Sequence, residues 1–208
     1  EDVDYATENW TYENGNIDVE VEFSVVCAPE GYTYVPDNNF EQALIDLGHD
    51  DVLNDFVLTE NISGVTSLDV QNNEISDLTG IEAFTTLTYL NCSSNSLTIL
   101  DLSNNTALEI LDCNNNQLTS LDVSSNTALT DLYCNYNQLT SLDVSNNTAL
   151  THLWFNHNQL TSLDVSNNTS LIQLRCNHNQ LTMLDVSANT ALTYLWINYN
   201  QFTYLNMK

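Results

Sequence analysis

The sequence predicts a β-rich solenoid of stacked coils, with parallel strands, little helix and a helical N-terminal cap. Three observations carry that prediction. From Leu87 the chain repeats with a period of 21 residues and no insertions, in units starting at Leu87, Leu108, Leu129, Leu150, Leu171 and Leu192. Each unit sets apolar residues at its first, fourth, sixth, eleventh, fourteenth and sixteenth positions; from Leu129 these are Leu129, Leu132, Cys134, Leu139, Leu142 and Val144. Asn occupies the ninth position of every unit: Asn95, Asn116, Asn137, Asn158, Asn179 and Asn200. A fixed period of this size marks a stacked-repeat architecture. One unit alone buries too little apolar surface to offset the entropy of ordering its backbone, so the coils stand or fall together.

Taken in order, residues 1–30 read as a β-hairpin segment, either an extra cap or the tail of an upstream domain. Its second strand alternates Ile17, Val19, Val21, Phe23 and Val25, and Asn14-Gly15 is a strong two-residue hairpin signal. Residues 31–64 form the cap. A helix is expected over 39–47, with Phe40, Ala43, Leu44 and Leu47 apolar, Asp37 or Asn38 as N-cap, and Gly48 after the last turn. Residues 65–208 are the coils: 65–86, 87–107, 108–128, 129–149, 150–170, 171–191 and a partial 192–208. No signal segment is visible and the sequence begins at Glu1 instead of Met, as expected of a mature or trimmed chain. No polar closing cap follows Gln201, so continuation past Lys208 is expected.

The spacing L-x-x-L-x-C-x-x-N-x-L fits the leucine-rich-repeat signature, with Cys in the third apolar slot. The upstream stretch VTSLDVQNNEISDLTGIEAFTTL (Val65–Leu87) resembles the 22-residue repeats of listerial internalins. The 21-residue units resemble the Cys-bearing repeats of one internalin subtype, and are similar to secreted repeat proteins of Bacteroidetes-type bacteria. The segment YVPDNNFEQALIDLGHDDVLNDFVL looks like the cap preceding such repeats. The resemblance implies a right-handed leucine-rich-repeat solenoid, formally of the α/β repeat class, and a surface or extracellular recognition role.

Charge excludes whole classes of partner. The chain carries 28 Asp plus Glu against 2 Lys plus Arg, a net charge of −26. Arg175 and Lys208 cannot neutralise a phosphate backbone, so nucleic acid is excluded. No apolar run approaches the ~20 residues of a membrane span, so membrane insertion is not expected. Apolar content of 42% is enough for a core.

Within each unit the two halves read as near copies, L-T-x-L-x-C-N-x-N against L-T-S-L-D-V-S-N-N. A short strand is therefore expected in each half, giving two parallel sheets. A second Asn column runs Asn105, Asn126, Asn147, Asn168 and Asn189, and a buried amide at such a position serves the backbone of adjacent coils. Cys92, Cys113, Cys134 and Cys176 share the sixth, apolar position and are expected as buried free thiols. The column Asp101, Asp122, Asp143, Asp164 and Asp185 brings like charges ~4.8 Å apart. Ser hydroxyls or backbone N–H groups are expected to offset the repulsion; Ca²⁺ at this acidic column is the alternative. No other cofactor and no protein metal site is expected, since no convergent ligand spacing exists.

Function is sought where the columns vary. The third, fifth, seventh and eighth positions are read as one outward face around the first strand of each unit. They collect Tyr89, Tyr133, Tyr136, Trp154, Tyr194, Trp196 and Tyr199, with His152, His157, His178 and Arg175. Clustered Trp, Tyr and Arg are what binding hot spots contain. These eleven residues are the candidate ligand-binding set, for a protein or a glycan partner. The function read from them is non-catalytic recognition or adhesion, secreted or at a cell surface. A structural spacer without specific ligand is the alternative. A polysaccharide-active enzyme using Asp131, His152 and Arg175 is a remote one, because no nucleophile motif, phosphate loop or metal cluster accompanies them.

Overall fold

The computed structural model describes residues 28–207; the expected hairpin at 1–26 lies outside them. An antiparallel pair opens the cap, β1 (Tyr32–Tyr34) against β2 (Phe56–Leu58). Between them runs α1 (Asn38–Asp46), capped by Asp37, whose Oδ1 accepts from the N–H groups of Asn39 and Phe40. That carboxylate satisfies two of the orphan donors of the first turn. Phe40, Ala43 and Leu44 are buried, but Leu47 is exposed, because the helix ends at Asp46 and Leu47 turns outward ahead of Gly48 in its left-handed conformation (φ 79°). A short helix, α2 (Thr59–Ile62), follows β2.

Asp37 also ties the cap to the coils. Its Oδ2 accepts from the N–H and hydroxyl of Ser76 and from the N–H of Asp77. Burial alone would raise this carboxyl, but the donors from Ser76, Phe40 and Asp77 together hold it below its ordinary value. Phe40 meets Phe84 of the first coil, ring centroids 6.4 Å apart, so cap and coils share one apolar core.

The coils stack seven strands in one parallel sheet: β3 (Ser67–Asp69), β4 (Tyr89–Asn91), β5 (Ile110–Asp112), β6 (Asp131–Tyr133), β7 (His152–Trp154), β8 (Gln173–Arg175) and β10 (Tyr194–Trp196). From β4 onward each strand pairs in register with the residue 21 positions away. Every strand has three residues because the coil must turn after that; the central Leu points in and its neighbours point out.

The expected second sheet is mostly absent. Only β9 (Met183–Asp185) and β11 (Tyr204–Asn206) pair there. In every complete unit from Leu87 on, the paired one included, Asp101, Asp122, Asp143, Asp164 and Asp185 each accept, through Oδ1, the N–H two residues on, from Ser103, Ser124, Ser145, Ser166 and Ser187. Each closes an Asx turn, which coexists with a ladder where Asp185 lies in β9. The same donors pull these carboxyls below their ordinary value.

The ninth-position Asn side chains bridge coils. Asn137 donates to the carbonyls of Cys113 and Cys134 and accepts from the N–H of Leu118. The second Asn column donates likewise, Asn147 to Val123 and Asn126, but its Oδ1 atoms are buried without a partner. A third column was read from sequence as outward face and is instead a brace. The seventh-position Oδ1 of Asn114, Asn135, Asn156 and Asn177 each accepts the N–H of its successor, at 2.6–2.9 Å. The four described thiols are buried and free, with Phe155 filling the slot between Cys134 and Cys176. Burial pushes the thiols of Cys134 and Cys176 up to about 12.

Candidate recognition face

The strand face is built from the third and fifth positions, which the sheet holds in straight rows. In the fifth row Tyr133, Trp154, Arg175 and Trp196 are neighbours across β6, β7, β8 and β10. Their side chains fill one another's faces. The Tyr133 and Trp154 rings lie 4.5 Å apart. The Arg175 guanidinium carbon lies 3.9 Å from the Trp154 ring centre and 4.2 Å from that of Trp196. Tyr194 stacks on Trp196 at 5.6 Å. A cation over an indole face is attracted by the ring quadrupole, most strongly when water is kept away. Trp154 Nε1, Arg175 Nε and Gln173 Oε1 are buried there without a hydrogen-bond partner.

The third row supplies a polar knot beside this stack. His152 Nδ1 lies 2.8 Å from Asp131 Oδ1 and 2.9 Å from Thr151 Oγ1. Asp131 also accepts from the Tyr133 hydroxyl at 2.8 Å and from Thr130 at 2.6 Å. Burial first, then the bond to Asp131 and its charge, raise the Tyr133 hydroxyl far above its ordinary value. Nearer the cap the rows turn acidic, with Asp69 and Asp112. Burial, with Asp69 nearby, raises Asp112. Tyr89 stands between these carboxylates and is raised by burial and by both charges.

The eighth-position residues do not lie on the strand face. Each sits at the corner beyond it in the left-handed backbone region, with φ of 54–56° at Ser94, Asn115, Tyr136, His157, His178 and Tyr199. That conformation is uncommon for bulky side chains. Tyr136, His157, His178 and Tyr199 stack there as a separate four-ring ladder, centroids 4.1–4.2 Å apart and planes within 14°. Tyr199 is 74% exposed at its end. Burial and then the neighbouring His178 hold the His157 imidazole below its ordinary value.

Of the eleven candidate residues, Tyr133, Trp154, Arg175, Tyr194 and Trp196 form the strand-face stack, and His152 joins it through Asp131. Tyr136, His157, His178 and Tyr199 form the corner ladder. Tyr89 stands apart among the carboxylates. Tyr136, Tyr194 and Tyr199 are exposed, whereas Tyr89, Tyr133, Trp154 and Trp196 are half-buried by their neighbours. The row of Asn braces was missed as structure, though a nearly invariant polar column was its signal. A cleft of about 560 Å³ lies elsewhere, lined among others by Asp77, Glu82, Ile99 and Asp101.

Comparison with known proteins places this geometry. The functional domain of InlJ from Listeria monocytogenes, which includes a cysteine ladder, superposes over 84% of this chain and 51% of its own, with TM-score 0.57 and 34% identity. This chain is a leucine-rich-repeat protein, similar to the listerial internalins. Internalin J of L. monocytogenes serotype 4b is 44% identical over 73 residues, 35% of this chain and 8% of the relative. The leucine-rich-repeat chain therefore spans a small part of that curated relative and about half of the InlJ structure. An internalin (InlF) from L. monocytogenes strain 4b F2365 shares the fold at 23% identity and TM-score 0.63, over 83% of this chain and 69% of its own. A leucine-rich-repeat protein of Leptospira interrogans does so at 22% and 0.64, over 71% and 44%. A family profile for the LVIVD repeat matches residues 88–112 of the leucine-rich-repeat chain. No helix among the described residues is long and apolar enough to cross a membrane.

Proposed function

We propose that this leucine-rich-repeat protein is a non-catalytic recognition module, working at a cell surface or outside the cell, that binds a protein partner through its strand face. One observation carries the reading. The variable columns converge on a stack, Tyr133–Trp154–Arg175–Trp196, that holds unpaired polar atoms at its centre. Fixed columns in this chain are all spent on packing and coil bridging, and this variable one is not. The stack also favours protein over glycan. Sugar rings bind by lying on free aromatic faces, and here the Trp154 face is covered by Arg175, as is that of Trp196. What remains outward are ring edges, which are electropositive, and the Nη groups of Arg175. The Asp131–His152 pair is engaged with Thr130, Thr151 and Tyr133, which fits a structural knot better than a proton-transfer pair.

The test pans a displayed peptide library on the purified chain and runs a glycan array in parallel, with and without Ca²⁺. Each hit is rechecked on a Trp154→Ala/Trp196→Ala double variant whose unfolding transition is measured first. Peptide binders lost in the folded variant support the reading. Glycan hits lost in that variant would replace the protein partner by a carbohydrate. Binders of neither class depending on the two Trp would leave a structural spacer.

A further inference from the structure

Arg175 is the one Arg or Lys among the described residues of a chain with 28 acidic side chains. In such a chain a lone cation is expected to be paired. It is not: the one ion pair among the described residues joins His152 to Asp131. Arg175 makes no hydrogen bond to any described residue, and its Nε is buried without an acceptor. What holds it is the pair of indoles on the flanking strands, at 3.9 and 4.2 Å. With both faces of the guanidinium covered, only its edge is left to meet a partner. Beyond the buried Nε, that edge carries the N–H donors of the two Nη atoms, a planar fork whose geometry matches a carboxylate. Clamping between rigid rings removes much of the rotamer entropy that an arginine normally loses on binding.

We infer, on the recognition reading above, that Arg175 is a carboxylate receptor, taking an Asp or Glu side chain of a protein partner that is otherwise basic. The charge of the chain chooses that source. The net charge of −26 repels a polyanion such as a uronate polymer. It attracts a basic protein, whose Lys and Arg meet Asp69 and Asp112 further along the same face.

The experiment uses a lysine-rich decapeptide with one central Glu, its Glu→Gln counterpart, and oligogalacturonate as the glycan carboxylate. Binding is read by calorimetry and by Trp fluorescence, on the whole chain and on Arg175→Gln, Arg175→Lys and Asp112→Asn. All variants are first checked for an unchanged unfolding transition. The Glu peptide is expected to bind about tenfold tighter than the Gln peptide, the worth of one charge-assisted pair. That preference should vanish in Arg175→Gln and fall in Arg175→Lys, which keeps the charge without the fork. Asp112→Asn should weaken both peptides alike. Equal binding of the two peptides to the native chain overturns the receptor, as does a preference that survives Arg175→Gln. Oligogalacturonate binding tighter than the Glu peptide overturns the protein source. If the receptor fails while library binders still depend on Trp154 and Trp196, the recognition reading stands without it.

Discussion

The two halves of each coil are near copies in sequence and differ in how their backbones are satisfied. In the first half the N–H and C=O groups pair with the neighbouring coil, Cys113 to Tyr133 and Cys134 to Trp154, and the Asn braces close the turn. In the second half the Asp side chain answers its own backbone, and coil-to-coil contact passes through Asn147-type amides whose oxygens have no partner. The Asx turn alone does not decide which half becomes sheet, since Asp112 makes one beside β5 and Asp185 one beside β9. Where Ser at the position before the inward Leu gives way to Met183 and Tyr204, the second half pairs after all. The comparison also explains where variation is tolerated. A sheet held by its backbone leaves its outward side chains free to differ, while a turn held by Asp and Ser does not.

The largest effects should come from the sheet half. Leu132→Ala is expected to cost about 2–5 kcal/mol, read from the urea midpoint. Leu142→Ala, at the looser second half, should cost less. Equal costs would break the comparison. Next come the two amide columns. Asn137→Ala leaves the Leu118 N–H without its partner and takes one of two Asn donors from each of the Cys113 and Cys134 carbonyls, and should cost about 1–3 kcal/mol. Asn147→Ala also removes an unsatisfied oxygen, so its cost should be smaller, by about 1 kcal/mol.

Thiol chemistry sharpens the same contrast, because every described Cys lies in the first half. Burial raises all four, Cys134 and Cys176 to about 12. At pH 8 the native chain should therefore leave Cys92, Cys113, Cys134 and Cys176 unlabelled by iodoacetamide over hours, and urea should release them together. Stepwise labelling would mean that the coils open one at a time.

The smallest effect belongs to the Asp–Ser turns. Their carboxyls lie below the ordinary 3.8 in the folded chain, so their contribution is present above the unfolded value and is lost as pH falls through the folded ones. Asp112 works oppositely: raised by burial, it is relieved as pH falls. Thermal unfolding should thus change little from pH 7 to 5 and weaken below pH 4. Adding NaCl at pH 7 should stabilise slightly by screening the Asp column, and a melting temperature indifferent to salt would show that the turns already cancel the repulsion.

Much of this was legible in the residues. The 21-residue period, the inward Leu and Cys, the Asn bridges and a helix cap at Asp37 or Asn38 follow from spacing and side-chain chemistry. The adjacency of Trp154, Arg175 and Trp196 was legible too, as neighbours in one column. Their mutual stacking was not, because a column says which side chains are near and not which faces they use. The corner position of Tyr136, His157, His178 and Tyr199 was also hidden. Tyr and His carry no signal for positive φ, and their backbone is set by the Asn braces on either side.

The sequence by itself determined that this chain stacks coils, which residues lie inward and which columns are free to vary, since those follow from periodicity and from the need to bury apolar surface. Only the tertiary structure decided that one half-coil is sheet and the other a row of turns, that the aromatic residues divide into two ladders, and that the single described Arg is clamped by indoles instead of paired with acid. These are competitions between alternatives of similar local energy, and contacts between coils choose the winner.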